Sequence, residues 1–149
     1  MYRIHADIRL GRLYAEGRGF WGNDVSRDYR QGVSEAFRSL ARYHSRIEIF
    51  ADFGAFAPQG QSQIDFHLDH SEERSLLTVT RHALVTSSAL VRLQLKRALN
   101  DFGATHFDDV PSALAWLGWD STELDRLRDQ CPWLPASCPE AQDWRRLRE

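Results

Sequence analysis

The side chains with chemical potential gather in three places. Ser87 and Ser88 follow the apolar run HALVT and precede Arg92 by about one helical turn. Two hydroxyls, a guanidinium and the free backbone N–H groups of a helix start are suited to an anionic headgroup or a carboxylate. Pro58, Gly60 and Ser62 lie in the loop after the run IEIFADF, and Ser62 stands where a helix is expected to begin. A phosphate on Ser62 would sit against the positive end of the helix dipole. Both sets of serines also have a plainer role as helix caps. The third group, Asp65, His67, Asp69 and His70, is made of metal-ligand types, with Asp65 and Asp69 one turn apart on a helix. No third ligand of matched spacing accompanies the histidines, so solvated charge is the reading and no metal is assigned.

Other chemistries lack their residues. No GxSxG elbow is present, and no cysteine stands beside a plausible base. The glycines of GRGFWG, residues 17–22, are not spaced as GxGxxG and read as the exit of a hairpin. Cys131 and Cys138 are too far apart for a CxxC pair and have no companion histidines, so they make a poor zinc site; two free thiols are expected in a reducing compartment, with a disulfide as the alternative. No catalytic residue and no cofactor is assigned.

The elements that must position these groups follow from periodicity. Tyr2, Ile4, Ala6, Ile8 and Leu10 alternate with polar residues as in a strand with one buried face, and Gly11 turns the chain into a second strand. This hairpin forms an antiparallel edge. Asn23 or Asp24 is placed to cap a helix to about His44, in which Val25, Tyr29, Val33, Phe37 and Leu40 share a face. Residues 47–53 and 82–86 read as interior strands lying side by side in parallel, joined by a helix over residues 62–79. A helix from Ser87 or Ser88 ends at Gly103, a short strand covers residues 104–107, and a helix with Pro111 in its first turn ends at Gly118. Asp120 and Glu123 open another helix to about Gln130, and a proline-containing segment follows.

The phrases GFW before the first helix, ADFGAF after the third strand and SALVRLQLKRAL followed by FDDVPSALAWL, set in this order of elements, resemble the STAS domain superfamily, and within it the bacterial SpoIIAA-like branch. The resemblance covers about residues 2–118. It implies a mixed sheet of about five strands with packed helices, and a non-catalytic protein-interaction or regulatory module. The best-known members bind a partner kinase and are switched by phosphorylation of a serine at the start of the helix after the third strand. Here the matching stretch, residues 57–62, lacks the aspartate-serine-serine-glycine pattern, and Ser62 is its only hydroxyl. Other members bind small ligands or sit on anion transporters.

Composition sets the outer limits. At 149 residues, the chain accommodates one STAS-like α/β domain, residues 1–118, and a C-terminal extension of helix and proline-containing segment, residues 119–149. A net charge of −2 gives no electrostatic footprint for nucleic acid. No apolar run approaches the roughly 20 residues that span a bilayer, and MYRIHADIRL does not resemble a signal peptide, so a cytoplasmic protein without membrane insertion is expected. Expected partners are a regulatory protein or, as the second reading, a small anionic or lipid-like ligand held by Pro58, Gly60, Ser62, Ser87, Ser88 and Arg92 in the crevice beyond the strand ends. Trp133, Trp144 and Leu147 in the tail call for a docking surface, either on the same domain or across a homodimer.

Overall fold

A computed structural model describes residues 1–58, 76–98 and 103–134. The elements run β1 (Tyr2–Asp7), β2 (Arg12–Gly19), α1 (Asn23–Ala41), β3 (Arg46–Phe56), β4 (Thr78–Thr86), α2 (Ala89–Ala98), β5 (Thr105–Phe107), α3 (Val110–Leu117) and α4 (Ser121–Gln130). One five-stranded sheet has the order β1-β2-β3-β4-β5, antiparallel at the β1–β2 hairpin and parallel from β2 to β5. This is the α/β class with a mixed five-stranded sheet expected from the sequence.

Strand alternation divides the core between two faces. Leu13, Ile47, Ile49 and Ala51 point toward α1, whose Val33, Ala36, Phe37 and Leu40 are buried against them. Val91 of α2 joins that layer through Leu84. On the opposite face, Tyr14, Phe50, Ala83 and Val85 pack under Ala113, Leu114 and Leu117 of α3 and Leu124 of α4. At the end of the α1 layer, Trp21 is fully buried among Tyr29, Phe53, Phe56 and Tyr2, with ring centroids 4.7–6.1 Å away. The register of β2 on β3 shifts between Glu16 and Arg18. Gly17, at that shift, leaves room for the rings, since a Cβ there would stand 2.5 Å from Phe53 Cε1.

Several boundaries differ from expectation. Gly22 stands at the N-cap of α1 without a side-chain cap, so neither Asn23 nor Asp24 fills that role, and Asp24 lies in the first turn 3.6 Å from Arg27. α1 stops at Ala41, and the His44 Nε2 group meets the Ile8 carbonyl at the sheet edge. The helix expected over residues 62–79 is corrected at its end, because Thr78 and Val79 belong to β4, paired with Arg46 and Ile47. Its earlier part, with Asp65, His67, Asp69 and His70, lies outside the described residues. α3 is bounded as expected, with Pro111 in its first turn and Gly118 closing it at φ +71°, and Asp109 caps its start by accepting from Ser112 N at 2.8 Å. Asp120 caps α4 through Thr122 N at 2.8 Å, while Glu123 does not close a box but faces Arg9, Arg12 and Arg126 at 3.6–3.7 Å.

The described part of the 119–149 extension packs on the sheet of its own chain. Trp119 is buried against Phe50 and donates to Glu48 Oε1 at 3.3 Å. Leu124 and Leu127 are buried, and Leu134 pairs with Tyr2 in both directions at 2.8 and 2.7 Å. Trp133 is buried beneath the Arg3 and Arg18 guanidinium groups, 4.2 and 4.7 Å from its ring. Trp133 therefore gives no reason for a homodimer; Trp144 and Leu147 lie outside the described residues.

Candidate functional site

Three polar or concave regions stand out, and each is built by the sheet. The first is the rim at the carboxyl ends of the parallel strands, where a ligand crevice is expected in open α/β sheets. β3 and β4 run side by side, so Pro58 and Ser87 emerge at the same end of the sheet. Ser87 Oγ donates to the Gly54 carbonyl of β3, and Ser88 Oγ accepts from Val91 N at 3.4 Å, a long capping bond at the start of α2. Arg92 is drawn to Asp108, which follows β5, and its Nε reaches Thr86 Oγ1 at 3.5 Å. The hydroxyl of Ser87 and the charge of Arg92 are thus engaged within the chain. Beside them, His106 Nδ1 is buried with no hydrogen-bond partner among the described residues. Burial first, then Arg92 and Lys96, holds this imidazole below its usual range, so it is neutral at pH 7. Gly60 and Ser62, the remaining rim candidates, lie outside the described residues.

The second region is a buried charge network on the α3/α4 face. Glu16 of β2 accepts from Arg3 Nε and Nη2 at 2.9 and 2.6 Å, from the Tyr14 hydroxyl, and from Arg18 Nε at 3.2 Å. Arg128 of α4 donates to Asp52 of β3 at 2.8 Å and to the Tyr14 hydroxyl at 3.1 Å, while its carbonyl accepts from Arg3 Nη1 at 2.8 Å. Burial works against the Glu16 carboxylate, but the Tyr14 hydroxyl, Arg3 and Arg128 together hold its pKa below the usual range. Burial, then the charge of Glu16, pushes the Tyr14 phenol far up. A tyrosine, a glutamate and arginines in contact have the composition of an acid–base site. Tyr14 and Glu16 are 1% and 3% exposed, however, so both are closed off from solvent. Cys131 lies beside this network as a buried free thiol whose Sγ is 3.1 Å from the Ile4 carbonyl, its pKa raised chiefly by burial.

The third region was not singled out from the sequence. A groove of about 460 Å³ runs between β1 and α1, floored by Ile4, Ala6, Gly32 and Ala36 and closed at one end by Leu134. Asp28 and Glu35, both exposed on α1, are the charged groups that line it. Together with burial, which is the larger cause, they push the Tyr2 phenol up to about 12. The signal in the sequence was the edge position of β1 together with Asp28, Gln31, Glu35 and Ser39, a polar stripe at helical spacing beside the apolar face of α1.

Neither a family model nor a curated protein matches this chain. Among the described residues, no group of three or more His, Cys, Asp or Glu is placed to hold a metal ion, and no helix is long and apolar enough to cross a membrane.

Proposed function

We propose that the chain is a non-catalytic protein-interaction or regulatory module of the STAS, SpoIIAA-like type, acting in the cytoplasm. The observation that carries this reading is the groove between β1 and α1, which joins an apolar floor, an acidic rim and the open edge of a sheet. Protein partners use such surfaces, because strand edges supply directional hydrogen bonds and the floor supplies burial. The mixed sheet is the architecture that the family resemblance implies. The catalytic reading loses ground because the acid–base cluster around Glu16 is sealed by Arg128 and Trp133.

The test is site-specific photo-cross-linking in cells of the source organism. A cross-linker at Gln31, on the groove rim, is expected to capture one defined protein. The same group at Lys96, on α2, is expected not to. Once purified, the captured protein must bind the wild-type chain and bind the Asp28→Asn/Glu35→Gln variant more weakly. Equal capture from both positions, or none from Gln31, would count against the reading.

One observation favours a small anionic or lipid-like ligand as the second reading. His106 Nδ1 is buried and has no partner among the described residues, beside the Arg92–Asp108 pair, which lies at the solvent-facing rim. A carboxylate competing with Asp108 for Arg92 would fit that corner. Under this reading, a fatty-acid or dicarboxylate library yields compounds that raise the Tm of the wild type by several degrees and leave Arg92→Ala unmoved. A library that shifts neither protein removes the option.

A further inference from the structure

Among the described residues, the edge of β1 is only half covered. Hairpin pairing turns the N–H and C=O groups of Met1, Arg3, His5 and Asp7 toward β2, which leaves those of Tyr2, Ile4 and Ala6 on the outer edge. Leu134 takes both groups of Tyr2, and Cys131 Sγ takes the Ile4 carbonyl. The Ile4 N–H and both groups of Ala6 have no partner among the described residues. These groups open beside the groove floor, under the rim that carries Asp28 and Glu35.

We propose that this groove takes an extended segment of a partner protein, apolar at alternate positions and carrying arginine or lysine between them, which adds to the open half of β1 as a strand. The proposal rests on the interaction-module reading and names the chemistry of the partner. Three features argue for that occupant. The antiparallel bridge at Tyr2 shows that this edge accepts strand geometry, and because Cys131–Trp133 of the same chain lead back from it toward Ile4, the added segment pairs at the Ile4 N–H and at Ala6. The floor offers Ile4, Ala6 and Ala36 to alternate side chains, and Gly32, with no side chain of its own, lets Ile4 Cδ1 lie against α1, where a Cβ would come within 3.0 Å. The charged lining is entirely acidic, which selects cationic residues and disfavours acidic ones.

The test titrates the full-length protein with a fluorescent hexapeptide of alternating valine and arginine, alongside the same peptide with glutamate for arginine and one with alternate backbone nitrogens methylated. The arginine peptide is expected to bind with micromolar affinity and to perturb the Ala6 amide resonance, and both control peptides are expected to fail. The Asp28→Asn/Glu35→Gln substitutions, on exposed side chains, are expected to weaken binding about three- to tenfold and to flatten its salt dependence. Binding that survives N-methylation, or that ignores the two acidic positions, overturns the proposal. So does an Ala6 amide already protected from hydrogen exchange in the free protein, since the edge would then be occupied by the chain itself or, if light scattering shows a dimer, by a second copy. A partner captured at Gln31 while the peptides fail would overturn only the strand chemistry and leave the interaction-module reading standing.

Discussion

Glu16→Ala is expected to destabilise the protein by about 3–5 kcal/mol, because it leaves Arg3 buried without its carboxylate and takes one of two carboxylates from the half-buried Arg128. The Arg3–Glu16 pair is nearly dry, with side chains 9% and 4% exposed, so water cannot take over the lost contacts. Urea denaturation of the purified variant measures the loss. Removal of both charges, in Arg3→Met/Glu16→Ala, is expected to cost less than the sum of the two single substitutions, since neither charge is then stranded. A single-variant loss below about 1 kcal/mol would mean that the network is solvated in solution.

The same network predicts a direction for pH. The folded state holds Glu16 below its ordinary pKa of 4.5, so folding favours the deprotonated form. Its contribution is complete above about pH 4.5 and is lost as the pH falls through the depressed folded value. Denaturation midpoints should therefore drop more steeply below pH 4.5 in the wild type than in Glu16→Gln, which has no proton to gain there. Parallel curves for the two proteins would show that other carboxylates govern acid unfolding.

The sequence made the layers of this fold legible and left its polar interior hidden, for a physical reason. Alternation from Tyr2 to Leu10, the apolar face of α1 and the caps at Asp109, Gly118 and Asp120 are local signals, and local bonds realise them. The start of β4 departs from the expected helix because pairing with β3, and not burial, holds it in the sheet. β5 covers only Ala83 to Val85, so Thr78 to Arg81 lie beyond its reach and carry the polar residues of an exposed edge. Glu16 and Asp52 are acidic residues among apolar strand neighbours, and alternation alone assigns them no partner. They lie on central strands covered by helices on both faces, where an alternating polar residue points into a second packed layer and needs an ion partner. Arg128, the ion partner of Asp52, is 76 residues from it in the chain, beyond any spacing argument. The rim around Ser87 and Arg92 was legible as a place, since two parallel strands deliver it. Its chemistry was not, because the contacts with Gly54 and Asp108 depend on tertiary placement.

Ending the chain at Gly118 is expected to abolish cooperative folding, although periodicity suggests that a compact α/β unit closes there. Such a chain loses the buried side chains of Trp119, Leu124, Leu127 and Trp133. At about 1.5–3 kcal/mol each, they contribute roughly 6–12 kcal/mol of burial. That is comparable to the whole stability of an ordinary domain, about 5–15 kcal/mol. The cut also removes Arg128, which takes the ion partner from Asp52 and one of two hydrogen bonds from the Tyr14 hydroxyl, and it exposes Phe50 on the sheet face. Near-UV circular dichroism and thermal denaturation should show neither fixed aromatic packing nor a sharp transition in the 1–118 chain. The single substitution Trp119→Ala, in the full-length protein, isolates the first step of that loss. It empties the space between Phe50 and Leu124 and releases Glu48 Oε1, at an expected cost of about 3–5 kcal/mol. A 1–118 chain that melts cooperatively within a few degrees of the full protein would instead make α4 and the strand at Leu134 an accessory layer, and the groove closed by Leu134 would then be open along the whole of β1.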